Sequence, residues 1–309
     1  MKFKYLFGPV PSRRLGLSLG VDLVPYKVCS YDCIYCEVGP TTLKTVERKA
    51  YVPLEEVKRE LETFWSLGVE TDFITFSGFG EPTLHIGIGE LINWIRERFP
   101  LPVAVLTNGS LLRDHQVRKE LMGAHVVLPS LDAGTQEVYR VINRPHPSIS
   151  FQDMVDGLEI FTRGFSGEVW LEVLLVKGVN DHPQELDALA GLVKRINPAR
   201  VQLNTVVRPP AHGGEPLSLE ELEALRPLFG PRAEVVAYPT DKKAKEREGL
   251  RDAIVETVAR RPCSKEDIAK VLGVSALEVA KYLGELLNEG RLEAVRHGNQ
   301  IFYKANRSG

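Results

Sequence analysis

The sequence predicts an α/β fold of repeated strand–helix units, followed by a smaller domain of three short helices and a β-hairpin. Three observations carry this prediction. Strand-like and helix-like patterns alternate six times along the first three quarters of the 309 residues. The strand segments are rich in Val, Leu and Ile throughout rather than alternating, as expected of parallel strands buried on both faces. A charged segment, TDKKAKEREG, then separates this region from the remainder.

In chain order, residues 8 to 26, GPVPSRRLGLSLGVDLVPY, open with turn punctuation and run into VDLVP, which reads as a first buried strand. Arg13 and Arg14 fit either a solvated turn or contact with an anionic ligand. PLEEVKRELETFWSLG puts Leu54, Val57, Leu61, Phe64 and Trp65 at helical spacing, with acids in the first turn and Gly68 as a stop. TDFITFSGFGEP is an apolar strand ending in a glycine-rich turn, and IGELINWIRERF is an amphipathic helix. LPVAVLTNGS and DHQVRKELMG make the next strand and helix. HVVLPSLDAG repeats the strand, and residues 135 to 165 hold two helical pieces broken at NRPHPS. VWLEVLLVKGVND and PQELDALAGLVKRI form the fifth unit. RVQLNTVVRPP is the sixth strand, SLEELEALRPLFG a last helix of this region, and AEVVAYP a late extra strand. Crossovers of this kind curl into an open or closed β/α barrel, and six units fall short of a full one.

The expected domains are residues 1–240, a charged linker at 241–249 with no apolar face, and a small domain at 250–309. In the last, LRDAIVETVARR, SKEDIAKVLG and SALEVAKYLGELLNEG read as helices, with a turn at Gly273 and Val274. RLEAVRHGNQIFYK reads as two strands around a tight HGN turn. This end resembles a winged helix-turn-helix.

Net charge is −2, so nothing drives the chain as a whole toward nucleic acid or a membrane surface. No apolar run reaches the roughly 18 residues of a membrane span. The opening MKFKYLFGPV lacks the apolar core of a signal peptide. Four cysteines, three of them clustered, fit a reducing cytoplasm.

The cluster is KVCSYDCIYCEVG, with Cys29, Cys33 and Cys36 spaced Cys-x3-Cys-x2-Cys. Three thiolates this close can converge on one soft metal centre, one ligand short of a closed four-ligand site. Structural zinc would want a fourth Cys or His at matching spacing, and His85 and Cys263 belong to no paired motif. The spacing, with aromatic Tyr35 just before the third cysteine, resembles the signature of the radical S-adenosylmethionine (radical SAM) superfamily. The resemblance implies a partial (β/α)6 TIM-type barrel and a [4Fe–4S] cluster held by Cys29, Cys33 and Cys36. It implies further that the open iron chelates S-adenosyl-L-methionine. One electron then cleaves the sulfonium to a 5′-deoxyadenosyl radical. The implied partners are a flavodoxin- or ferredoxin-like electron donor and an unidentified substrate, RNA or protein. GPVPSRRLG, before the cysteines, resembles a subgroup related to the wyosine-type tRNA-modifying enzymes. Those enzymes carry further N-terminal cysteines, and SPASM-type maturases carry many C-terminal ones. This chain has neither set, and its short N-terminus leaves no room for a cobalamin domain, so none of those activities carries over.

SGFGEP is the second motif. Gly78 and Gly80 let the backbone approach a ligand closely. In the resembled family a Gly-Gly-Glu-Pro turn here presents carbonyls to the cofactor's amino group. This chain interposes Phe79 between the glycines, and Glu81 holds either the turn or the ammonium, with Pro82 following. Thr107 and Asn108 in TNGS, and Ser130 and Asp132 in PSLDAG, sit at the ends of the next strands. The resemblance implies contacts there to ribose or the methionine moiety; each is equally an ordinary cap or turn residue. Asn143, Arg144, Lys177, Asn204 and Arg208 also point to the barrel mouth, and either arginine suits an anionic group. The seven histidines are scattered and read mostly as surface or cap residues, and Cys263 as a structural thiol before a helix start. In the small domain, Lys281 stands against Glu278, Glu285 and Glu289, while Arg291, Arg296, His297 and Lys304 line the hairpin. That balance leaves nucleic-acid contact and protein docking both open. The competing class is a redox-sensing iron–sulfur regulator that binds nucleic acid through the winged helix.

Overall fold

The structure is a computed structural model describing residues 3–12, 14–236, 241–260, 262–272, 274–297 and 300–306, without the side chains of residues 11, 241–249, 260, 270, 277 and 297. Its elements begin with β1 (Leu6–Ser12), β2 (Gly16–Val21), β3 (Val28–Cys29), β4 (Leu43–Lys44), α1 (Leu54–Ser66) and β5 (Phe73–Phe76). Then come α2 (Ile88–Arg98), β6 (Val103–Thr107), α3 (His115–Leu121), β7 (Val126–Pro129), α4 (Gln136–Ile142) and α5 (Phe151–Gly164). β8 (Glu168–Leu175), α6 (Pro183–Ile196), β9 (Arg200–Thr205), α7 (Leu219–Leu225) and β10 (Ala233–Val235) follow. The chain closes with α8 (Asp241–Arg260), α9 (Lys265–Leu272), α10 (Ala276–Asn288), β11 (Leu292–His297) and β12 (Gln300–Ala305). It divides into two compact units, one of residues 1–21, 55–74 and 238–309, the other of residues 22–54 and 75–237.

The second unit carries the α/β architecture. From the end of β5 its strands run in sequential order to β10. β6 with β7, β7 with β8, β8 with β9 and β9 with β10 all pair in parallel. Each step is bridged by helix, as parallel neighbours require. Val103, Ala104 and Val105 in β6 and Val127 and Leu128 in β7 are buried in succession, so both faces are covered. The covering helices bury Leu91, Ile92 and Ile95 of α2, Leu158 and Phe161 of α5, and Leu189 and Val193 of α6. The break expected at NRPHPS separates α4 from α5, and Thr135 and Ser150 cap the two helices.

Two strand expectations change. VDLVP is not a strand: Val21 ends β2, and Leu23 and Val24 are buried without one. The strand lies earlier, in GLSLGV, which pairs antiparallel with LFGPVPS from Leu6↔Val21 to Ser12↔Gly16. Prolines in LFGPVPS disguised it, because a proline gives the ladder no N–H; they are tolerated where β1 lies at the end of the strand order. Ser12 Oγ accepts from the N–H groups of Arg14 and Leu15 and shapes the hairpin turn. Arg13 lies outside the described residues. The sixth member of the sequential series is instead the late strand, seen as β10; residues 237–239 of AEVVAYP lie outside the described residues.

The first unit holds β1, β2, α1 and the C-terminal elements. The expected linker at 241–249 is helical backbone, the first half of α8. Its Lys, Glu, Arg and Ala residues are strong helix formers, which an apolar-face criterion alone overlooks. The unit boundaries also differ from the expected 1–240 and 250–309, since residues 1–21 and 55–74 group with the C-terminal elements. A core of Ile254, Val258, Cys263, Ile268, Val279, Leu283, Leu286, Leu292 and Tyr303 joins α8, α9 and α10 to the β11–β12 hairpin. β11 and β12 pair from Leu292↔Ala305 to His297↔Gln300. The turns expected at Gly273 and at Gly298–Asn299 lie outside the described residues. Cys263 is buried, and Ser264 Oγ accepts from Asp267 N–H at the start of α9, in keeping with a structural thiol.

Glu185, in the first turn of α6, is fully buried and carries the join between α6 and the loop before α4. It accepts from the N–H groups of Gly134 and Thr135 and, at 2.8 Å, from Thr135 Oγ1. Removing it leaves these half-buried donors without their partner. We expect Glu185→Ala to lower unfolding free energy by roughly 1–3 kcal/mol, read as a shifted urea midpoint with unchanged slope.

Candidate functional site

The site is built on the loop between β3 and β4. Those strands pair in parallel, Val28↔Leu43 and Cys29↔Lys44, and hold the two ends of the cysteine segment together. Cys29, Cys33 and Cys36 are free and half-buried. A nitrogen donor faces each sulfur. Asn108 Nδ2 lies 3.5 Å from Cys29 Sγ, Asn143 Nδ2 lies 3.6 Å from Cys33 Sγ, and Lys27 Nζ lies 3.0 Å from Cys36 Sγ. Lys27 is itself buried and adopts a left-handed φ of 54°. Amide and ammonium donors aimed at sulfur suit thiolate ligands, which carry negative charge.

Burial, and after it the Glu81 carboxylate, pushes the Cys29 thiol up to about 11. Burial and then Asp132 raise Cys33 as well. Iron supplies the positive charge that reverses this and holds such thiols deprotonated. Among the described residues, no three His, Cys, Asp or Glu side chains converge to hold one ion. A cubane takes each thiolate on a different iron, so three thiolates carried on one short loop suit such a cluster.

The glycine turn follows β5. Gly78 has φ of +134°, and a Cβ there would lie 2.6 Å from Asp22 Cγ. A Cβ on Gly80 would lie 2.0 Å from the Val28 carbonyl oxygen. The turn is thus pressed against residues 22–28, the approach to the cysteines. Lys27 N–H donates to Phe79 O at 2.9 Å and Glu81 N–H to Val28 O at 3.2 Å. The Phe79 carbonyl is therefore engaged by protein. Its ring is 51% exposed and stands 5.5 Å from that of Tyr26, an exposed aromatic pair beside the loop. Pro82 opens a short 3-10 turn capped by Glu81.

Glu81 is drawn into the turn and its neighbours. Its carboxylate is buried and accepts from Thr83 N–H (3.0 Å), Thr83 Oγ1 (2.5 Å), Thr107 Oγ1 (2.7 Å) and Asn108 N–H (2.7 Å). Burial raises its pKa against the pull of these donors. Glu81 holds the turn, and it brings Thr107 and Asn108 to it. Asn108 then reaches the cysteine loop, donating to Ser30 Oγ at 2.8 Å as well as facing Cys29.

Asp132 is likewise a clamp. It accepts from Tyr35 Oη, from Asn143 Nδ2 at 2.8 Å and from Leu174 N–H at 3.0 Å. Burial pushes its pKa up to about 6. Tyr35 is thereby fixed by its hydroxyl, while Ser130 lies half-exposed where β7 bridges to Glu172.

The segment after β9 also grips the cysteine loop, which the sequence did not signal. Ala211 N–H donates to Cys36 O and His212 N–H to Ile34 O, both at 3.0 Å. His212 Nε2 meets Asp32 Oδ1 at 3.0 Å, and Arg144 reaches Asp32 Oδ2 at 3.3 Å. His85 is buried at the C-cap of the 3-10 turn, with Nε2 on Val52 O and Nδ1 accepting from Gly87 N–H. Arg208 pairs with Glu37 on the loop itself. Lys177 pairs with Glu221 and Asn204 bonds Glu172; neither reaches the cysteines by a described contact.

The profile of the Radical SAM superfamily matches residues 23–190. The chain is 36% identical to a Brachyspira hyodysenteriae protein named GTPase Obg, over 99% of this chain but 46% of that one, so it spans about half that relative's length. It is 30% identical to a UPF0026 protein of Methanocaldococcus jannaschii, over 97% of this chain and 95% of the other. A radical SAM methyltransferase from Sphaerobacter thermophilus aligns with a TM-score of 0.54 at 18% identity, over 71% of this chain and 66% of that one, a likeness of fold.

Asp22, behind the glycine turn, yields a pH prediction. Burial pushes its carboxyl up to about 6 against hydrogen bonds from Phe79 and Val24 N–H groups. Between the unfolded value near 3.8 and about 6, the folded state holds a proton that the unfolded state has released. Stability therefore falls as pH rises through this window. Between pH 4 and 7 we expect Asp22→Asn to lose roughly 2–3 kcal/mol less than the unaltered protein, measured by urea unfolding at each pH.

Proposed function

The chain belongs to the radical SAM superfamily and, by near full-length likeness, to the UPF0026 proteins within it; from that premise we propose that Cys29, Cys33 and Cys36 are its cluster ligands and that the SGFGEP turn holds the cofactor beside them. As a member it is an enzyme whose cofactors are a [4Fe–4S] cluster and S-adenosylmethionine, and it requires an electron donor and a substrate. When bound, these cofactors supply one-electron cleavage of a sulfonium carbon–sulfur bond.

The observation that carries the ligand assignment is the set of three nitrogen donors from Lys27, Asn108 and Asn143, one at each thiol. The chain's own residues do the positioning. Asn108, just after β6, and Asn143, at the C-terminal end of α4, orient two of the sulfurs. Asp132 fixes Tyr35, and Glu81 holds the turn so that its glycine backbone faces the cofactor. Thr107 and Ser130 complete the rim at the strand ends.

We read the sequential parallel series as a partial (β/α)6 barrel of the radical SAM type. GPVPSRRLG supports a relation to the wyosine-type subgroup. A flavodoxin- or ferredoxin-like donor in a reducing cytoplasm suits the oxygen-labile cluster; no described helix is long and apolar enough to cross a membrane. We read the three helices and hairpin at the C-terminal end as a winged-helix domain. Four of its described cations are in ion pairs: Arg291 with Asp252, Lys304 with Glu293, Lys265 with Glu70, and Arg251 with Glu285 and Glu289. Arg296 donates to Ser66 O. This supports a protein-facing role for that domain over phosphate contact, and the enzyme over the DNA-binding regulator.

Two outcomes test the reading. Each of Cys29→Ala, Cys33→Ala and Cys36→Ala should abolish the visible iron–sulfur absorption after anaerobic reconstitution, whereas Cys263→Ala should retain it. Loss of the cluster in the Cys263 variant would overturn the ligand set. Gly78→Val should keep the cluster yet weaken S-adenosylmethionine binding at least tenfold by calorimetry, since its side chain meets Asp22 and disfavours the positive φ; unchanged affinity would reduce SGFGEP to a structural loop.

A further inference from the structure

Outside the cysteine site, the second unit carries a cleft of about 580 Å³, lined by Lys44, Gln136, Arg140, Arg144, His146 and Ser148 and by the start of α5. No carboxylate lines it. Its charge is open to a ligand. Arg140 is exposed and has no carboxylate partner among the described residues. Lys44 is exposed and donates only to the Arg144 carbonyl, at 3.2 Å. Arg144 shares Asp32 with His212 and keeps 41% of its side chain exposed. The nearby first-turn acid of α5, Asp153, is taken up by Arg113 at 3.1 Å. α5 has 14 residues and brings the positive end of its dipole to the same cleft. Arg144 is also held at φ 47° directly before Pro145, a conformation that proline disfavours for its predecessor.

We propose that this cleft is a phosphate-binding subsite, and that it anchors a phosphate-bearing substrate beside the cysteine loop. Three cations and a helix N-terminus without a lining carboxylate demand more negative charge than one carboxylate supplies. A phosphate monoester brings about −1.5 to −2, and arginine forks match its oxygens. The volume accommodates more than one phosphate group. The cleft is joined to the loop: His146 N–H donates to Ser30 O at 2.8 Å, Asp32 N–H donates to Asn143 O at 3.1 Å, and Lys44 lies opposite Cys29 in the β3–β4 pair. A group anchored here therefore sits beside residues bonded directly to the segment that carries the thiols. Assigning that group to the substrate rests on the enzymatic reading above; the binding of phosphate does not.

The test uses the full-length, cluster-loaded protein without divalent cations. Inorganic pyrophosphate is titrated by calorimetry and a short single-stranded RNA by fluorescence anisotropy. Saturable pyrophosphate binding is expected, weakened at least tenfold in Arg140→Glu and in Lys44→Ala/Arg140→Ala. The exposed positions of both residues and retained iron–sulfur absorption guard against misfolding as the cause. RNA binding that pyrophosphate displaces, and that falls in the same variants with a shallower salt dependence, would place the phosphate on a polynucleotide. Pyrophosphate binding without RNA binding would place it on a small phosphorylated molecule. No saturable binding of either probe, or binding unaffected by Arg140→Glu, would overturn the proposal. Cluster retention in the Cys29, Cys33 or Cys36 variants would instead sink the enzymatic reading and leave the phosphate site standing.

Discussion

A buried carboxylate registers the two halves of the site. Glu81 is 2% exposed, and a carboxylate placed there without donors would cost several kcal/mol. Its donors come from two directions, the short turn that it caps and the end of β6. Moving the glycine turn away from β6 would strand that charge. Asn108 is carried along by the same bond, and its amide faces Cys29. Glycine turn, strand end and first thiol are therefore one mechanical unit, held by hydrogen bonds to one buried carboxylate.

The cysteine loop depends on such outside support because it has little structure of its own beyond the β3–β4 pair. Residues at the end of α4 receive N–H donation from Asp32 and Ile34, and the segment after β9 donates to Ile34 and Cys36 carbonyls. Asp132 adds a side-chain anchor on Tyr35. A short segment that must hold three thiols against burial, which favours their protonated form, gains from being over-determined in this way. Arg251, Arg291 and Lys304 of the C-terminal elements are engaged in ion pairs with their own neighbours, whereas Arg140 and Lys44 beside the cysteine loop are in none among the described residues. That contrast, rather than the overall charge of −2, says where an anion is welcome.

Much of this was legible in the chain itself. The Cys-x3-Cys-x2-Cys spacing, the glycine turn and the recurring strand–helix pattern are local features, each set by residues within a few positions of one another. Sequence alone therefore determined the cysteine triad, the β/α series and the break between α4 and α5. It also marked Asn143 and Arg144 as residues near the site. It misplaced the first strand because prolines in β1 mask a hairpin, and it missed the helix at 241–249 because strong helix formers need no apolar face.

Only the tertiary structure decided what the polar residues do. Glu81 and Asp132 look alike in the sequence, and the structure shows that each carboxylate gathers donors from several distant elements. Tyr35 and Asp132 are 97 positions apart, and His212 and Asp32 are 180 apart. Glu185 reads as an ordinary first-turn acid until Thr135 comes to it across 50 residues. A buried carboxylate must find donors wherever the fold brings them, and no local pattern encodes which ones those will be.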